Sequence, residues 1–236
     1  MWIEQLQPLS DDVCLAPGDP GRWLSAAERD RLARIRSPQR RTGWLAGRRL
    51  AKELLCSVDG RTSPGPAGWH IESRDGRGRP APPRAFRCGR LVPWVVSISH
   101  SDRSVYVAVS TARGVRLGVD VTPVRPLSDS FARLWLTDNE RRWCARDATG
   151  LLRCLVWSVK ESCYKAAGNG SPFRPRQIDC MTATNLGRLP SSGLFDRGPV
   201  QRIDDGHSTV VCRIVGGEVA SSVLLRAGGE ASGRFA

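Results

Sequence analysis

Two amphipathic segments of about twenty residues, each followed or preceded by short β-branched runs, constrain the fold of this chain most. The first, SPQRRTGWLAGRRLAKELLC (residues 37–56), begins with a serine that can serve as an N-cap and with Pro38 at the first helical position. The second, LLRCLVWSVKESCYKAAG (residues 151–168), runs into Asn169 and Gly170, a pattern typical of a helix end. Both segments are predicted to form long helices.

Short runs rich in β-branched residues predict strands around these helices. Residues 60–90 are rich in Gly, Pro and Arg, with one strand predicted at WHIES. Thr137 and Glu140 form a predicted capping box that starts a helix through Ala145. Three runs between turn residues predict neighbouring antiparallel strands: VVSIS (95–99), SVYVAVS (104–110) and VRLGVDV (115–121). Two late runs predict a hairpin around Gly216 and Gly217: TVVCRIV (209–215) and VASSVLL (219–225).

A helix with a small antiparallel sheet therefore occurs twice, which predicts an α+β fold with two similar halves. We expect an N-terminal half at residues 1–112 and a C-terminal half at 113–236, with a cleft between them. Residues 228–236 are expected to form a loose tail. Two halves within one chain also favour a monomer.

The charge of the chain is strongly positive, with 36 basic and 23 acidic residues and a net charge of +13. Such a field suits nucleic acid, but the arginines are scattered and no zinc-finger, helix-turn-helix or RNP-like motif accompanies them. Acidic proteins and phosphorylated small molecules are equally good partners.

Compartment and redox state follow from what the sequence lacks. No apolar run approaches the 18 or so residues of a membrane span, and the N-terminus carries acids where a signal peptide carries bases. The eight cysteines include no CxxC pair. We expect a cytoplasmic, reduced protein without a membrane partner.

The segment WSVKESCYK contains two of the three lysines in the sequence. Trp157, Glu161 and Lys165 are spaced four residues apart and share one helix face. A surface salt bridge between Glu161 and Lys165 is one interpretation. A second is a magnesium site, since Asp120, at the end of an apolar strand, and Glu161 would supply the one or two carboxylates that Mg²⁺ usually takes. Asp120 is also compatible with a simple turn before Pro123.

In their order and spacing, these motifs resemble those of the 4′-phosphopantetheinyl transferases, specifically the two-half, surfactin-synthetase-activating type. The family signature pairs a GxD strand, here Gly118-Val119-Asp120, with a W-S/A-x-K-E-S-x-x-K helix, here residues 157–165. VSISHS, RDGRGRP and LSAAERDRLARI are similar to further family segments. The resemblance runs from about Leu24 to Gly170.

The resemblance implies Mg²⁺-dependent transfer of 4′-phosphopantetheine from coenzyme A to a serine of an apo acyl or peptidyl carrier protein, releasing 3′,5′-ADP. It implies that Asp120 and Glu161 hold Mg²⁺, with Mn²⁺ as a substitute, that Glu161 is also the base, and that Lys165 assists the leaving phosphate. Thr122 stands where many members have a second acid. The residues implied to bind coenzyme A are Arg31, Thr42, Arg74, Arg77, Gly78, Arg79, Ser97, Ser99, His100, Lys160 and Lys165.

Two alternatives stay open at the level of sequence. One is a catalytically weak or inactive homologue that only binds coenzyme A or a carrier, which the threonine at position 122 suggests. The other is an arginine-rich nucleic-acid-binding protein, which is supported only by the positive charge of the chain. The sequence leaves open which carrier and pathway would be served and whether acylated coenzyme A is accepted.

Overall fold

The computed structural model describes residues 2–9, 20–145, 147, 149–168, 172–189 and 200–226. The chain forms two compact units, Met1–Arg113 and Gly114–Ala236, so the division falls one residue after the expected boundary. Each unit has an antiparallel sheet packed on one long helix, and the fold is α+β with two halves of similar topology. The expected tail at 228–236 lies outside the described residues.

The N-terminal unit contains a five-stranded sheet in the order β1-β5-β4-β3-β2. Its long helix begins after Ser37, whose side chain accepts a hydrogen bond from the Arg40 amide, and it packs apolar residues such as Leu50 and Leu55 against the sheet residues Val105 and Val107. The strands are β1 (Trp2–Pro8), β2 (Trp69–Arg74), β3 (Pro80–Arg87), β4 (Arg90–His100) and β5 (Ser104–Ser110); the helices are α1 (Ala26–Ala33) and α2 (Pro38–Asp59).

The C-terminal unit contains a four-stranded sheet in the order β6-β9-β8-β7. Its long helix ends at Gly168, which adopts the left-handed conformation and donates its amide to the Tyr164 carbonyl. The strands are β6 (Val115–Pro123), β7 (Val200–Asp204), β8 (Ser208–Val215) and β9 (Glu218–Arg226); the helices are α3 (Asp129–Trp135), α4 (Asp138–Cys144), α5 (Leu151–Ala167) and α6 (Cys180–Ala183).

One predicted strand arrangement is wrong. The runs at 95–99 and 104–110 do pair antiparallel, as β4 and β5. The third run, 115–121, instead opens the C-terminal sheet as β6 and pairs with β9, whose register places Asp120 opposite Ser221. Strand propensity marks each run correctly, but pairing is a tertiary property that neighbouring position in the sequence does not determine.

Strand β3 was not predicted because its sequence, PAPPRAFR, is rich in proline, which disfavours a regular β-strand. The strand is nevertheless paired on both sides, with β2 and with β4. Its register shifts between Glu72 and Arg74 on one side and between Arg84 and Phe86 on the other. Such irregularities accommodate prolines, which cannot donate to a regular ladder. Strands β1 and β7 were also not predicted.

Two further expectations concern burial. Of the seven cysteines that the structure describes, all are free thiols and five are buried, in keeping with their expected role as small apolar residues. Among the described helices, none combines the length and the hydropathy that crossing a bilayer requires.

Candidate active site

Strand β6 and helix α5 bring the two predicted signature motifs of the C-terminal unit together. The Lys165 ammonium donates to Asp120 Oδ1 at 2.8 Å and to the Val119 carbonyl at 3.0 Å. Asp120 is only 6 % exposed. Lys165 thus forms an ion pair between helix and strand, and its charge also acts on Glu161 of its own helix.

Gly118 permits this close approach of α5 to β6. A Cβ atom on Gly118 would lie 1.9 Å from the Ser162 carbonyl oxygen and 2.6 Å from the Ala166 amide nitrogen, both backbone atoms. Real Cβ atoms do not approach other atoms so closely, so any residue other than glycine would push the helix away from the strand. The glycine of the GxD motif is thus a packing requirement, which explains its place two residues before Asp120.

Glu161 lies half-buried on α5, and three influences act on its carboxyl group. Burial has the largest effect and raises the pKa of Glu161, the charge of Lys165 lowers it, and the charge of Asp120 raises it again. The net pKa is raised. A carboxylate in this position accepts a proton more readily than an exposed one.

Thr122 touches Asp120 directly. Its hydroxyl donates to Asp120 Oδ2 at 2.8 Å. With Lys165 on Oδ1 and Thr122 on Oδ2, each carboxylate oxygen of Asp120 has a partner that fixes its direction. The threonine at position 122 therefore orients the acid on its own strand.

Lys160 is placed differently from the phosphate-binding role that the family resemblance implied. Its side chain is 0 % exposed, and its ammonium contacts Glu140 Oε2 at 2.7 Å, the Pro175 carbonyl at 2.7 Å and the Ile178 carbonyl. An ammonium has three donors, and these three acceptors use them all. This enclosure speaks against a contact between Lys160 and phosphate, and we assign Lys160 to the stability of the C-terminal unit instead.

Glu140 is a buried acid whose role sequence reasoning missed. Besides Lys160, it accepts the Thr137 amide as part of the expected capping box and the Cys180 amide at 2.9 Å. The N-terminal unit repeats this arrangement: Glu28 closes a capping box with Ser25 and pairs with the fully buried Lys52 at 2.7 Å. The signal was present in the sequence, as WLSAAER at 23–29 and WLTDNER at 135–141.

The N-terminal unit carries most of the residues expected to bind coenzyme A. His100 is exposed and its ring lies against α2, since a Cβ on Gly43 would be 3.1 Å from His100 Cγ. Thr42 precedes Gly43 on that helix and is half-buried. His100 therefore packs against the part of α2 that contains Thr42, and the joint role of these two residues stays a prediction.

Ser97 and Ser99 project from the other side of the same strand. Ile98 lies against Gly47 of α2, as His100 lies against Gly43. Because side chains alternate along a strand, Ser97 and Ser99 point to the opposite face of the sheet. Both serines are buried, 3 % and 7 % exposed, and this placement separates them from His100 and from α2.

Arg31 forms part of a positive surface on the N-terminal unit. Burial lowers the pKa of Arg31, and the charges of Arg74, Arg34 and Arg40 lower it further. The charges of these three arginines therefore act together on Arg31, and a positive field of this kind favours a multiply charged anion. Arg74, which the resemblance assigns to the same ligand as Arg31, is among the groups whose charge acts on Arg31.

The remaining expected residues, Arg77, Gly78 and Arg79, lie in the exposed turn between β2 and β3. Asp75 organises the turn, accepting the amides of Arg77 and Arg79 at 2.9 Å and the Arg79 side chain at 2.8 Å. Backbone and side-chain hydrogen bonds from Arg79 and Arg77 lower the pKa of Asp75. Gly78 has φ 75°, which glycine adopts without strain.

The carboxylate pair fits a magnesium ion by its chemistry. Over the described ranges no group of three or more His, Cys, Asp or Glu side chains gathers. Mg²⁺ does not need such a group, since it binds one or two protein carboxylates and completes its octahedron with water and substrate phosphates. Asp120 forms an ion pair with the Lys165 ammonium, and the same positive charge acts on Glu161.

Residues 116–201 match the family model of the 4′-phosphopantetheinyl transferase superfamily. The matched segment begins in β6 and contains all of α5, so it includes Asp120, Glu161 and Lys165. No curated protein matches the chain. The similarity therefore supports the general superfamily, while the surfactin-synthetase-activating subtype belongs to the proposal below.

Proposed function

We propose that this chain transfers the 4′-phosphopantetheine group from coenzyme A to a serine hydroxyl of an apo acyl or peptidyl carrier protein, with 3′,5′-ADP as the leaving product. The observation that carries the proposal is the cluster of Asp120, Glu161 and Lys165 where the GxD strand meets the KExxxK helix, within the segment that matches the superfamily. The two similar units support the surfactin-synthetase-activating type.

Glu161 is the proposed general base. The reaction requires removal of the proton from the attacking serine as its oxygen bonds to the β-phosphorus of coenzyme A. The raised pKa of Glu161 brings its basicity closer to that task than an ordinary surface glutamate would be. Its half-buried position also limits competition from water.

Asp120 and Glu161 would hold Mg²⁺, or Mn²⁺ in its place. The ion would supply positive charge to the pyrophosphate of coenzyme A, where negative charge accumulates as the phosphorus–oxygen bond breaks. Thr122 keeps Asp120 in a fixed direction through its 2.8 Å hydrogen bond. We infer that the threonine supports the carboxylate ligand and does not replace a missing one.

Lys165 is proposed to stabilise the departing 3′,5′-ADP and to donate a proton to it. Its side chain is 27 % exposed, in contrast to the other two lysines, which are fully buried. A lysine ammonium can approach a phosphate oxygen and give up a proton, whereas a guanidinium stays protonated. The pairing with Asp120 holds the ammonium beside the proposed metal ligand.

The positive surface around Arg31 is proposed to bind the ribose 3′-phosphate of coenzyme A together with His100 and Thr42. An anion bound in this field would offset the repulsion that lowers the pKa of Arg31. Arg74 belongs to the same field, and Arg77 and Arg79 follow it in the β2–β3 turn. Carrier proteins are acidic around their modified serine, so the net charge of +13 would also steer their encounter.

Mass spectrometry of an apo carrier protein tests the proposal. Incubation with the purified chain, Mg²⁺ and coenzyme A should add the mass of one phosphopantetheine to the carrier, and the addition should stop when EDTA removes the metal. Carriers from fatty acid, polyketide and nonribosomal peptide synthesis are compared side by side. The absence of any mass gain with all three classes would contradict the proposal.

An inactive coenzyme A-binding homologue would give a different result. It would bind coenzyme A in calorimetry, with affinity lost in Arg31→Ala, yet would modify no carrier. A nucleic-acid-binding protein would bind duplex DNA or RNA with steep salt dependence. That binding would be unaffected by Glu161→Gln.

A further inference from the structure

A buried cluster of serine hydroxyls lies between α5 and β9, at the position of β9 that pairs with Asp120. Ser221 Oγ lies 2.8 Å from Ser158 Oγ and 2.8 Å from Ser162 Oγ. Ser162 Oγ also donates to the Ser221 carbonyl at 3.0 Å. Each of these three side chains is 0 % exposed, and the neighbouring buried residues of α5 and β9 include the apolar Val159, Val219 and Val223.

Ser221 is connected to both elements that form the candidate site, β6 and α5. In the register of the sheet, Ser221 is the direct partner of Asp120. Ser158 and Ser162 are one helical turn apart on α5, and Ser158 Oγ also contacts the Asp120 carbonyl at 3.4 Å. One side chain on β9 is thus bonded to two positions on the helix that carries Glu161 and Lys165.

The hydroxyl cluster acts at the same place as the glycine contact. The Ser162 carbonyl is the atom that would lie 1.9 Å from a Cβ on Gly118. The glycine lets α5 approach β6, and the serines set where along the strand the helix comes to rest. Directional hydrogen bonds do this better than apolar contacts, because apolar surfaces can slide with little change in buried area.

We propose that Ser221 is a positioning residue for the metal site, an inference that rests on the proposed function. Its hydroxyl fixes the register between α5 and β6 and thereby the separation of the Asp120 and Glu161 carboxylates. Ser221 lies outside the segment that matches the superfamily. The residues that touch metal and substrate stay Asp120, Glu161 and Lys165.

The next residue along β9 supplies a matched control. Ser222 is also 0 % exposed, but it is paired with Val119 and its Oγ has no hydrogen-bond partner. Side chains alternate along a strand, so Ser222 points away from α5. Ser221→Ala and Ser222→Ala therefore remove the same buried atom from adjacent positions, and one of the two removes the bonds to α5.

Amide hydrogen exchange and Mn²⁺ binding, both measured on the full chain without coenzyme A, test the proposal. Ser221→Ala should speed the exchange of α5 amides at residues 158–165 and weaken Mn²⁺ binding, followed by electron paramagnetic resonance, by about tenfold. Ser222→Ala should leave both unchanged. Ser162→Ala, which loses two of the four contacts, should shift both readouts in the same direction and serves if Ser221→Ala does not fold.

Equal exchange and equal Mn²⁺ affinity in Ser221→Ala and Ser222→Ala would overturn the positioning role. Faster exchange without any loss of Mn²⁺ affinity would overturn it too, because the serines would then stabilise the helix alone. Failure of the proposed function has a separate signature. The unmodified chain would modify no carrier, while the exchange difference between the two serine variants would persist.

Discussion

The two units place the same dipeptide on their long helices and use it differently. Lys52 and Glu53 in the N-terminal unit correspond to Lys160 and Glu161 in the C-terminal unit, and both lysines are fully buried against a capping-box glutamate. Glu53 faces solvent in an ion pair with Arg49. Glu161 instead lies half-buried within the fields of Asp120 and Lys165.

The comparison separates residues that stabilise the fold from residues proposed to act in the reaction. The buried lysine and its glutamate belong to the scaffold, because both units have them. In the proposed reaction, the acid that follows the lysine takes part only in the unit where the neighbouring strand brings a second carboxylate, as β6 does with Asp120. In the N-terminal unit the same helical position leads to an ordinary surface ion pair.

The largest expected effect comes from removing the charge of each of these two acids in turn. Glu161→Gln should lower kcat for carrier modification by about 10² to 10⁴-fold, the usual contribution of a general base. Glu53→Gln, the same change on the other long helix, should leave kcat unchanged. Mass spectrometry of the carrier over time measures both rates, and a comparable loss in the two variants would remove the distinction between the units.

The two buried lysines should respond alike. Lys160→Met and Lys52→Met each remove the nearest cation from a buried glutamate, a change that typically costs about 3 to 5 kcal/mol in the free energy of unfolding. Lys52→Met should fall at the lower end, because Arg48 still lies 3.8 Å from Glu28. Urea denaturation at neutral pH measures the loss. Adding Glu140→Gln or Glu28→Gln should recover part of it, since the uncompensated charge is removed. A stable Lys160→Met variant with impaired coenzyme A binding would restore the phosphate role to Lys160.

The close contacts between helix and sheet should differ between the units. Gly118→Ala forces a Cβ into the α5 backbone and should cost about 3 kcal/mol or more, together with loss of Mn²⁺ binding. Gly43→Ala meets only the His100 side chain, at 3.1 Å, and alanine favours a helix, so its cost should stay below about 1 kcal/mol. Thermal unfolding checks both values, and equal costs would contradict the close approach at Gly118.

Lowering the pH should weaken the buried ion pair between Glu28 and Lys52 in the N-terminal unit. Burial is the largest influence on Glu28 and raises its pKa, yet nearby His70, whose Nδ1 lies 3.8 Å from Glu28 Oε2, and the charge of Lys52 together lower it to about 2, from an ordinary 4.5. Its contribution to folding is therefore complete above pH 4.5 and is lost as the pH falls towards 2.

The size of that contribution is on the order of 3 kcal/mol. Urea denaturation at a series of pH values should show stability falling through this window in the unmodified chain. The Glu28→Gln variant should be less stable at neutral pH and should show a flatter profile. Parallel profiles for the two proteins would mean that Glu28 is not the group that titrates.

The smallest predicted effect on turnover concerns the third lysine, Lys165. Lys165→Arg keeps a positive charge beside Asp120 but cannot readily give up a proton, so turnover should fall by about tenfold while coenzyme A affinity is retained. Ser57, which occupies the corresponding position on α2, should tolerate alanine without effect on turnover. Full turnover by Lys165→Arg would limit this residue to an electrostatic role.

Local patterns in the sequence predicted the elements that are local in origin. The caps at Ser37 and Thr137, the end of α5 at Gly168 and the strand from Ser104 to Ser110 depend on neighbouring residues, and the structure confirms each of them. Pairing depends on distant residues, which is why the run at 115–121 was wrongly predicted to be a neighbour of the run at 104–110. Proline content concealed β3, whose shifted registers only the folded sheet reveals.

The candidate site was partly accessible for the same reason. Asp120, Glu161 and Lys165 could be named from two short motifs, because residue type and spacing carry their chemistry. The direction in which a side chain points could not be predicted from the sequence. Lys160 lies one residue from Glu161 yet turns into the core, and Ser221 contacts the site from a strand about sixty residues away in the sequence.

The distribution of lysines makes the protein unusually simple to modify at a chosen place. All three lysines of the chain lie in described segments, and the ammonium groups of Lys52 and Lys160 are sealed inside their units with 0 % exposure. Acylating reagents that select for amines have one lysine side chain within reach, Lys165, in addition to the N-terminal amine. A reporter group attached there would sit beside Asp120, and protection from the reagent would reveal what occupies the site.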